Sequence, residues 1–270
     1  MTPAIFRKIV WKYYRDHGRS ELPWRKTDDP YKILVGEMML QQTQVERVVP
    51  YYKSFIKKYP SVRSLAKAPL SDVLTLWQGL GYNRRAKFLH EASKYIVKVY
   101  VGKIPTDAAE LESIWGIGPY TARAVMTFAH NHDAIFIETN IRTVVIHHFF
   151  KDKENVGDIE ITEVLKKVLP HGQSRAWYSA LMDYGSYLKR TGIQNNANVK
   201  GYTKQSVFVG SRREVRGVIV RALSKKPHTQ KGLRALLPKR ELDEIHTVLQ
   251  QLLKEGMIAK KGIRYTLPTE

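Results

Sequence analysis

Two carboxylates sit where acids are costly. Glu37 lies in GEMMLQQTQV (36–45), preceded by the apolar ILV and followed by ERVVPYY, and shares the stretch with Gln41, Gln42 and Gln44. Taking a charge out of water costs on the order of several kcal/mol unless something pairs or uses it. A helix opened by Asp29-Pro30 is expected to run through Val45, which puts Glu37, Gln41 and Gln44 on one face with Ile33, Leu34 and Leu40. A carboxyl in such a surround holds its proton more tightly and can serve as a general acid near neutral pH, and the nearby amides can hydrogen-bond a base or its partner strand. The structural alternative is a glutamate held in place by glutamines. Glu138, in FIETNIRTVV, opens a second helix together with Asn140. A glutamate at a helix start serves either as a cap and dipole partner or as a working acid. Two acids in different roles are what cleavage of a glycosidic bond requires: one protonates the leaving group, the other stays ionised beside the oxocarbenium-like sugar.

The substrate class follows from a third motif and from charge. LESIWGIGPYTARAV (111–125) sets Gly116 and Gly118 between two helices, with Tyr120, Thr121 and Ala122 opening the second. Glycines allow close backbone approach to a phosphate, and the following helix start offers N–H donors. That is the layout of a helix-hairpin-helix, which grips duplex phosphates without reading sequence. The 270 residues carry 45 Lys and Arg against 25 Asp and Glu, a net charge of +20, as expected for a nucleic-acid partner. The chain has no 18-residue apolar run and its start lacks a signal-peptide layout, so no membrane partner is expected, and the expected location is cytoplasmic, at the nucleoid in a prokaryote. With no cysteine there is no disulfide, thiolate zinc site or Cys-ligated iron–sulfur cluster, and the nine histidines, His147-His148 included, show no metal-ligand spacing. No metal and no cofactor are expected.

These residues must be positioned by helices. Apolar stripes at helical spacing recur up to about residue 190, joined by short Pro- or Gly-marked loops, so the expected class is all-α. Residues 1–190 are read as the catalytic region in two helical lobes and 191–210, rich in Gly and Asn, as a linker. Residues 211–270 are read as a small separate unit. There RREVRGVIVRALSK, QKGLRALL and RELDEIHTVLQQLLKEG give three helices, and MIAKKGIRYTLP gives two short strands turning at Lys261-Gly262, the outline of a winged helix. This tail holds 14 Lys and Arg against 6 Asp and Glu, a net +8, read either as a clamp on a DNA backbone or as a solvated unit that only packs against the main body.

LPWR (22–25), DPYKILVGEMMLQQTQVERVVPYY (29–52), LWQGLGYNRRAKFLH (76–90), IWGIGPYTARAV and ETNIR closely resemble the adenine-specific mismatch DNA glycosylases of the helix-hairpin-helix superfamily, the MutY type. The resemblance runs to about residue 190. It implies a two-lobed helical fold that flips an adenine out of duplex DNA, because the bond to be cut is inaccessible in the stack. By that resemblance Glu37 matches the general acid, Glu138 the position of the oxocarbenium-stabilising aspartate, and Tyr120 and Asn140 supporting positions. Gln42 and Tyr82 match residues inserted into the DNA stack, and Trp24 and Arg25 sit in the stretch that helps form the adenine pocket.

Four departures stand out. Glu138 is one methylene longer than the usual aspartate. The region 189–205, KRTGIQNNANVKGYTKQ, lacks the four cysteines that hold an iron–sulfur cluster in most members, so a clusterless form is implied. The short tail stands where many members carry a pyrophosphohydrolase-like domain that detects 8-oxoguanine. Ser179 falls where some members place Gln or Glu against the adenine. Bifunctional relatives carry a lysine where Tyr120 stands, so a monofunctional enzyme without a lyase step is implied. The expected reaction is hydrolysis of the N-glycosidic bond of adenine opposite guanine or 8-oxoguanine, by a monomer acting on mismatched duplex DNA. Thymine or uracil opposite guanine, and a non-catalytic DNA binder on the same scaffold, are the competing readings.

Overall fold

A computed structural model describes residues 1–193 and 207–269. The part of the expected linker from 194 to 206 lies outside the described residues. In chain order the helices are α1 (Pro3–His17), α2 (Pro30–Leu40), α3 (Val45–Lys58), α4 (Val62–Ala66), α5 (Leu70–Leu76), α6 (Arg84–Val99), α7 (Ala108–Glu112), α8 (Pro119–His130), α9 (Thr139–Phe149), α10 (Asp158–Val168), α11 (Ser174–Arg190), α12 (Arg212–Leu223), α13 (Gln230–Ala235) and α14 (Leu242–Lys254). Short strands β1 (His228–Thr229), β2 (Ala259–Lys261) and β3 (Arg264–Thr266) fall in the tail. The chain forms two compact units. The first is Met1–Glu37, Pro105–Ser113 and Gly118–Lys204; the second is Met38–Ile104, Ile114–Ile117 and Gln205–Glu270.

In the first unit the helix starts are set by local chemistry. The Thr2 hydroxyl accepts the Ile5 N–H and Pro3 begins α1, while Asp29 Oδ1 accepts the Tyr31 N–H at 2.9 Å ahead of Pro30. Asn131, in the left-handed region at φ 54°, ends α8. The core is aromatic, with Phe6 edge-on to both Phe149 and Trp177. Helices α9 and α11 pack most intimately, and Gly185 makes this possible: a Cβ there would lie 2.3 Å from the Asn140 carbonyl oxygen. That close approach seats the first turn of α9.

In the second unit α4 packs on α6, and α4 starts at a reciprocal cap between Ser61 and Ser64. Phe55 and Trp77 meet edge to face in its core. The tail forms the three helices expected and the β2–β3 hairpin turning at Gly262, where φ is +57°. It also contains β1, which pairs with β3 to give an antiparallel sheet of order β1-β3-β2, as in a winged helix. A two-residue strand has no period for sequence reading to detect.

One expected element is corrected. The helix expected from Asp29 to Val45 stops at Leu40, and residues 41–44 form a turn before α3. The Arg85 guanidinium occupies the carbonyls of Met38 and Met39, both at 2.9 Å, and also bonds the Gln41 carbonyl, while Gln42 adopts φ +55°. Gln44 becomes the residue before α3. Gln41 and Gln44 therefore do not share a helical face with Glu37.

Candidate active site

Glu37 lies in α2 with 6% of its surface exposed, and Tyr120, in the first turn of α8, donates its hydroxyl to Glu37 Oε2 at 2.9 Å. Burial pushes the Glu37 carboxyl up to about 7, against the Tyr120 hydrogen bond, which favours the charged form. The charge of Glu138 adds to the rise and that of Arg25 opposes it. Tyr120 is in turn raised well above the ordinary phenol by burial and by the two carboxylates, so it stays a donor. Its ring meets Phe136 edge-on, and Phe136 stacks on Tyr178 with centroids 3.9 Å apart. The Tyr178 hydroxyl donates to the Ala134 carbonyl at 2.8 Å, which pins the extended run leading into Glu138.

Glu138 is the cap of α9. Its Oε1 accepts the N–H groups of Asn140 at 2.6 Å and Ile141 at 3.0 Å, and Oε2 accepts from Thr139 Oγ1 at 3.2 Å and Asn140 Nδ2 at 3.3 Å. Though only half-buried by area, it has its carboxyl raised chiefly by burial. The charge of Lys189, those N–H groups and the Thr139 hydroxyl all favour its ionised form. Lys189, in the last turn of α11, is itself lowered by burial against the opposing pull of Glu138. The first unit thus brings Glu37, Tyr120, Glu138 and Asn140 together. One acid has its hydroxyl partner in an apolar surround, and the other is bound to a helix start.

Arg25 is committed to Asp183 in a bidentate ion pair, Nη1 to Oδ2 at 2.6 Å and Nη2 to Oδ1 at 3.0 Å, and also reaches the Ser179 carbonyl at 3.3 Å. Arg19 closes on the same carboxylate through Nε at 2.7 Å and its backbone N–H at 2.9 Å. Paired this way, buried Asp183 is held below the usual carboxylate range despite its burial. Trp24 and Ser179 are buried beside these residues in sequence. Spacing and motif do not point to Asp183 or Lys189. Asp183 carried the same signal as Glu37, a lone acid within the apolar run SALMDYGSYL.

Gly118 and Pro119 are exposed at the start of α8, and Gly118 offers no side-chain cap to the first turn, which leaves it suited to a phosphate. Thr121 is buried within α8, so its side chain is not what a phosphate would meet. Gly116, at φ +90°, has a structural reason as well, since a Cβ there would lie 2.6 Å from Phe88 Cβ. Beside it Trp115 is 71% exposed and meets Phe88 edge-on.

Gln41, Gln42, Gln44 and Tyr82 belong to the second unit. Gln42 and Gln44 are exposed, Gln41 and Tyr82 half-buried. What joins their two turns is Arg85: besides the three α2-end carbonyls it donates to Thr43 Oγ1 at 3.0 Å and to the Gly81 carbonyl at 3.0 Å. Burial pulls this guanidinium down to about 10. Among the described residues no three His, Asp or Glu groups gather as a metal site, and the chain has no cysteine.

Residues 35–171 match the sequence profile of the HhH-GPD superfamily base excision DNA repair proteins. The chain is 34% identical over 192 residues to the adenine DNA glycosylase of Buchnera aphidicola, a match covering 70% of this chain and 54% of that one. It is also 34% identical over 173 residues to the thymine/uracil-DNA glycosylase of Pyrobaculum aerophilum, covering 64% of this chain and 70% of that one. The fold resembles that of a thermostable thymine-DNA glycosylase, at a TM-score of 0.60 and 25% identity over 68% of this chain and 86% of that chain. The chain spans about half the length of the adenine glycosylase it matches. It belongs to the HhH-GPD superfamily of base excision DNA repair proteins.

Proposed function

We propose that this protein is a monofunctional DNA glycosylase that hydrolyses the N-glycosidic bond of adenine opposite guanine or 8-oxoguanine. The observation that carries the reading is the buried Glu37 carboxyl, hydrogen-bonded by Tyr120 and raised to about 7, beside a second acid whose charge, disfavoured by burial, is supported by Lys189 and by the N–H groups at the start of α9. Glu37 protonates the departing adenine, which would otherwise leave as an anion. Glu138, held at the start of α9, sets a negative charge against the sugar as positive charge develops on it. A water then adds to the sugar and gives its proton to the Glu37 carboxylate, which restores the acid; no lyase step through a Schiff base follows, since Tyr120 stands where the resemblance puts the lyase lysine. The base enters from an extruded nucleotide, with Trp24, Arg25 and Ser179 forming the pocket side and Gln42 and Tyr82 filling the stack it leaves. Gly116, Gly118 and the start of α8 hold the backbone, and residues 211–270 add a second basic contact.

A second reading has support in the similarity to a thymine/uracil-DNA glycosylase, of which this chain covers 70%. One experiment separates the two. Duplexes carrying A·G, A·8-oxoguanine, T·G and U·G pairs are incubated with the protein and treated with alkali. Breakage at adenine is expected; breakage confined to thymine or uracil replaces the first reading by the second, and no breakage in any duplex rejects both.

A further inference from the structure

The Gly79-Leu80-Gly81-Tyr82 turn ends in a tyrosine at φ +48°, a left-handed conformation that a bulky residue adopts only when its surroundings hold it. Arg85 supplies the backbone restraint, donating to the Gly81 carbonyl and, from Nε, to the Tyr82 carbonyl at 3.4 Å. The side chain is held from a distant part of the chain. Arg213, in the first turn of α12, donates from Nη1 to the Tyr82 hydroxyl at 2.6 Å, and its guanidinium carbon lies 5.7 Å from the ring centroid. The Arg85 guanidinium carbon lies 5.5 Å from the same centroid.

Arg213 is not a wandering surface side chain. Its helix begins at a Ser211 cap, and its neighbour Glu214 is paired with Arg240 at 2.9 Å. Arg216, on the next turn, is ion-paired with Glu255, which also faces Arg84 at 3.7 Å. The Ser71 N–H bonds the Pro268 carbonyl at 3.1 Å, a further tie between the tail and the rest of its unit. The tail is thus seated on the residues around Tyr82, with a cation at the tip of the phenol.

We propose that Arg213 is a positioning residue that holds the Tyr82 ring in the orientation presented to duplex DNA, so that the basic C-terminal tail supplies part of the surface that probes the base stack. An aromatic face is a stacking platform for a base, and a guanidinium bonded to its hydroxyl fixes the ring while placing positive charge beside the phosphates. The proposal rests on the DNA-binding part of the reading above, not on its chemistry.

The test uses the full chain and four variants: Arg213→Ala, Arg213→Lys, Tyr82→Phe and the Arg213→Ala/Tyr82→Phe double. Binding to an A·G duplex and to its matched counterpart is measured over a salt series, and unfolding in urea is followed for each protein. Arg213→Ala and Tyr82→Phe are each expected to weaken mismatch binding about tenfold, the scale of one charged hydrogen bond, and matched binding less. The double variant should bind no worse than the weaker single, and the two changes should be non-additive in unfolding as well. Arg213→Lys keeps the charge but not the planar fork, and should not rescue.

Additive losses, equal on matched and mismatched DNA and with the salt slope reduced by about one, make Arg213 a phosphate ligand and overturn the proposal. Tighter binding by Arg213→Ala overturns it too, since the contact would then restrain Tyr82. Additivity in urea means the pair does not couple in solution, with the same consequence. A parent protein that cuts no mismatch but shows the non-additive binding pattern sinks the glycosylase reading and leaves this one standing.

Discussion

The Tyr120 hydroxyl donates to Glu37 Oε2 across 2.9 Å, so one oxygen of the buried acid is engaged as an acceptor and its proton is best carried on the other. The bond favours the charged carboxylate, against the burial that raises the group to about 7. Tyr120→Phe removes the opposition, and Glu37 should then hold its proton to higher pH. Single-turnover excision in the parent is expected to fall as pH rises through about 7, because the acid form is lost, and in Tyr120→Phe this limb should move to higher pH. An unmoved limb would mean that Glu37 is not the group whose proton the reaction uses.

Glu37→Gln should abolish excision while leaving mismatch binding largely intact. Proton transfer is worth about 10² to 10⁴-fold or more, whereas affinity comes mostly from phosphate contacts. The same variant has a stability signature. Below the ordinary carboxyl range Glu37 is neutral whether folded or unfolded. Above about 7 it is charged in both states but buried only in the folded one, so its penalty grows between these limits and is complete above the upper one. The gap from 4.5 to about 7 corresponds to about 3 kcal/mol, at roughly 1.4 kcal/mol per pKa unit. Urea unfolding at pH 5 and pH 8 should therefore show Glu37→Gln gaining on the parent as pH rises. Normal excision by this variant would remove Glu37 as the acid.

How far these features can be read from the chain depends on whether their causes are local. Glu138 as the start of α9 is legible because its bonds reach only to residues 139–141. The winged-helix outline is legible from periodicity and the turn at Gly262. The end of α2 is not, because its cause is Arg85, 44 residues beyond the Gln41 carbonyl it bonds. Periodicity alone carries the helix on through Val45. The partner of Arg25 is likewise hidden, since Asp183 lies 158 residues away. The Tyr82–Arg213 contact joins a turn to a tail 131 residues on, and no spacing rule connects them.

Lys189 should matter through Glu138 and not through contact with the base. Its charge lowers the proton affinity of Glu138, which burial raises. Lys189→Gln removes that help, so Glu138 should protonate at higher pH and the acidic limb of the rate profile should shift upward. The rate well above that limb should change little. A uniform loss at every pH would assign Lys189 a role in folding or DNA contact instead.

Removing residues 211–270 should weaken binding and flatten its salt dependence more than it slows single-turnover chemistry at saturation. The tail's net +8 releases counterions when it meets DNA, and the slope of log K against log salt reports how many. Loss of Arg213 with the tail should add a loss specific to mismatched DNA, beyond the general one. Unchanged affinity and slope would make the tail a packing module.

The length of Glu138 is the sharpest case. Glu138→Gln should depress excision severely if the ionised form stabilises the sugar, although the neutral amide can still accept the Asn140 and Ile141 N–H groups through its oxygen and so keep the cap. That separates the two roles: stability near that of the parent with lost excision points to charge, whereas lost stability with proportionate activity points to a cap alone. Glu138→Asp asks about reach. Aspartate caps helices well, so the fold should tolerate it, but here all four bonds are made by a glutamate, with Oε2 turned to Thr139 and Asn140. A shorter acid that takes up the two backbone N–H groups is drawn back toward the helix start. The charge is then displaced by about 1 Å, a misplacement that can cost about 10²-fold. Single-turnover rates on an A·G duplex should therefore fall for Glu138→Asp with little change in the urea midpoint. A rate equal to the parent's would mean that either length of acid reaches the sugar, and excision by Glu138→Gln at the parent's rate would leave Glu138 only its cap.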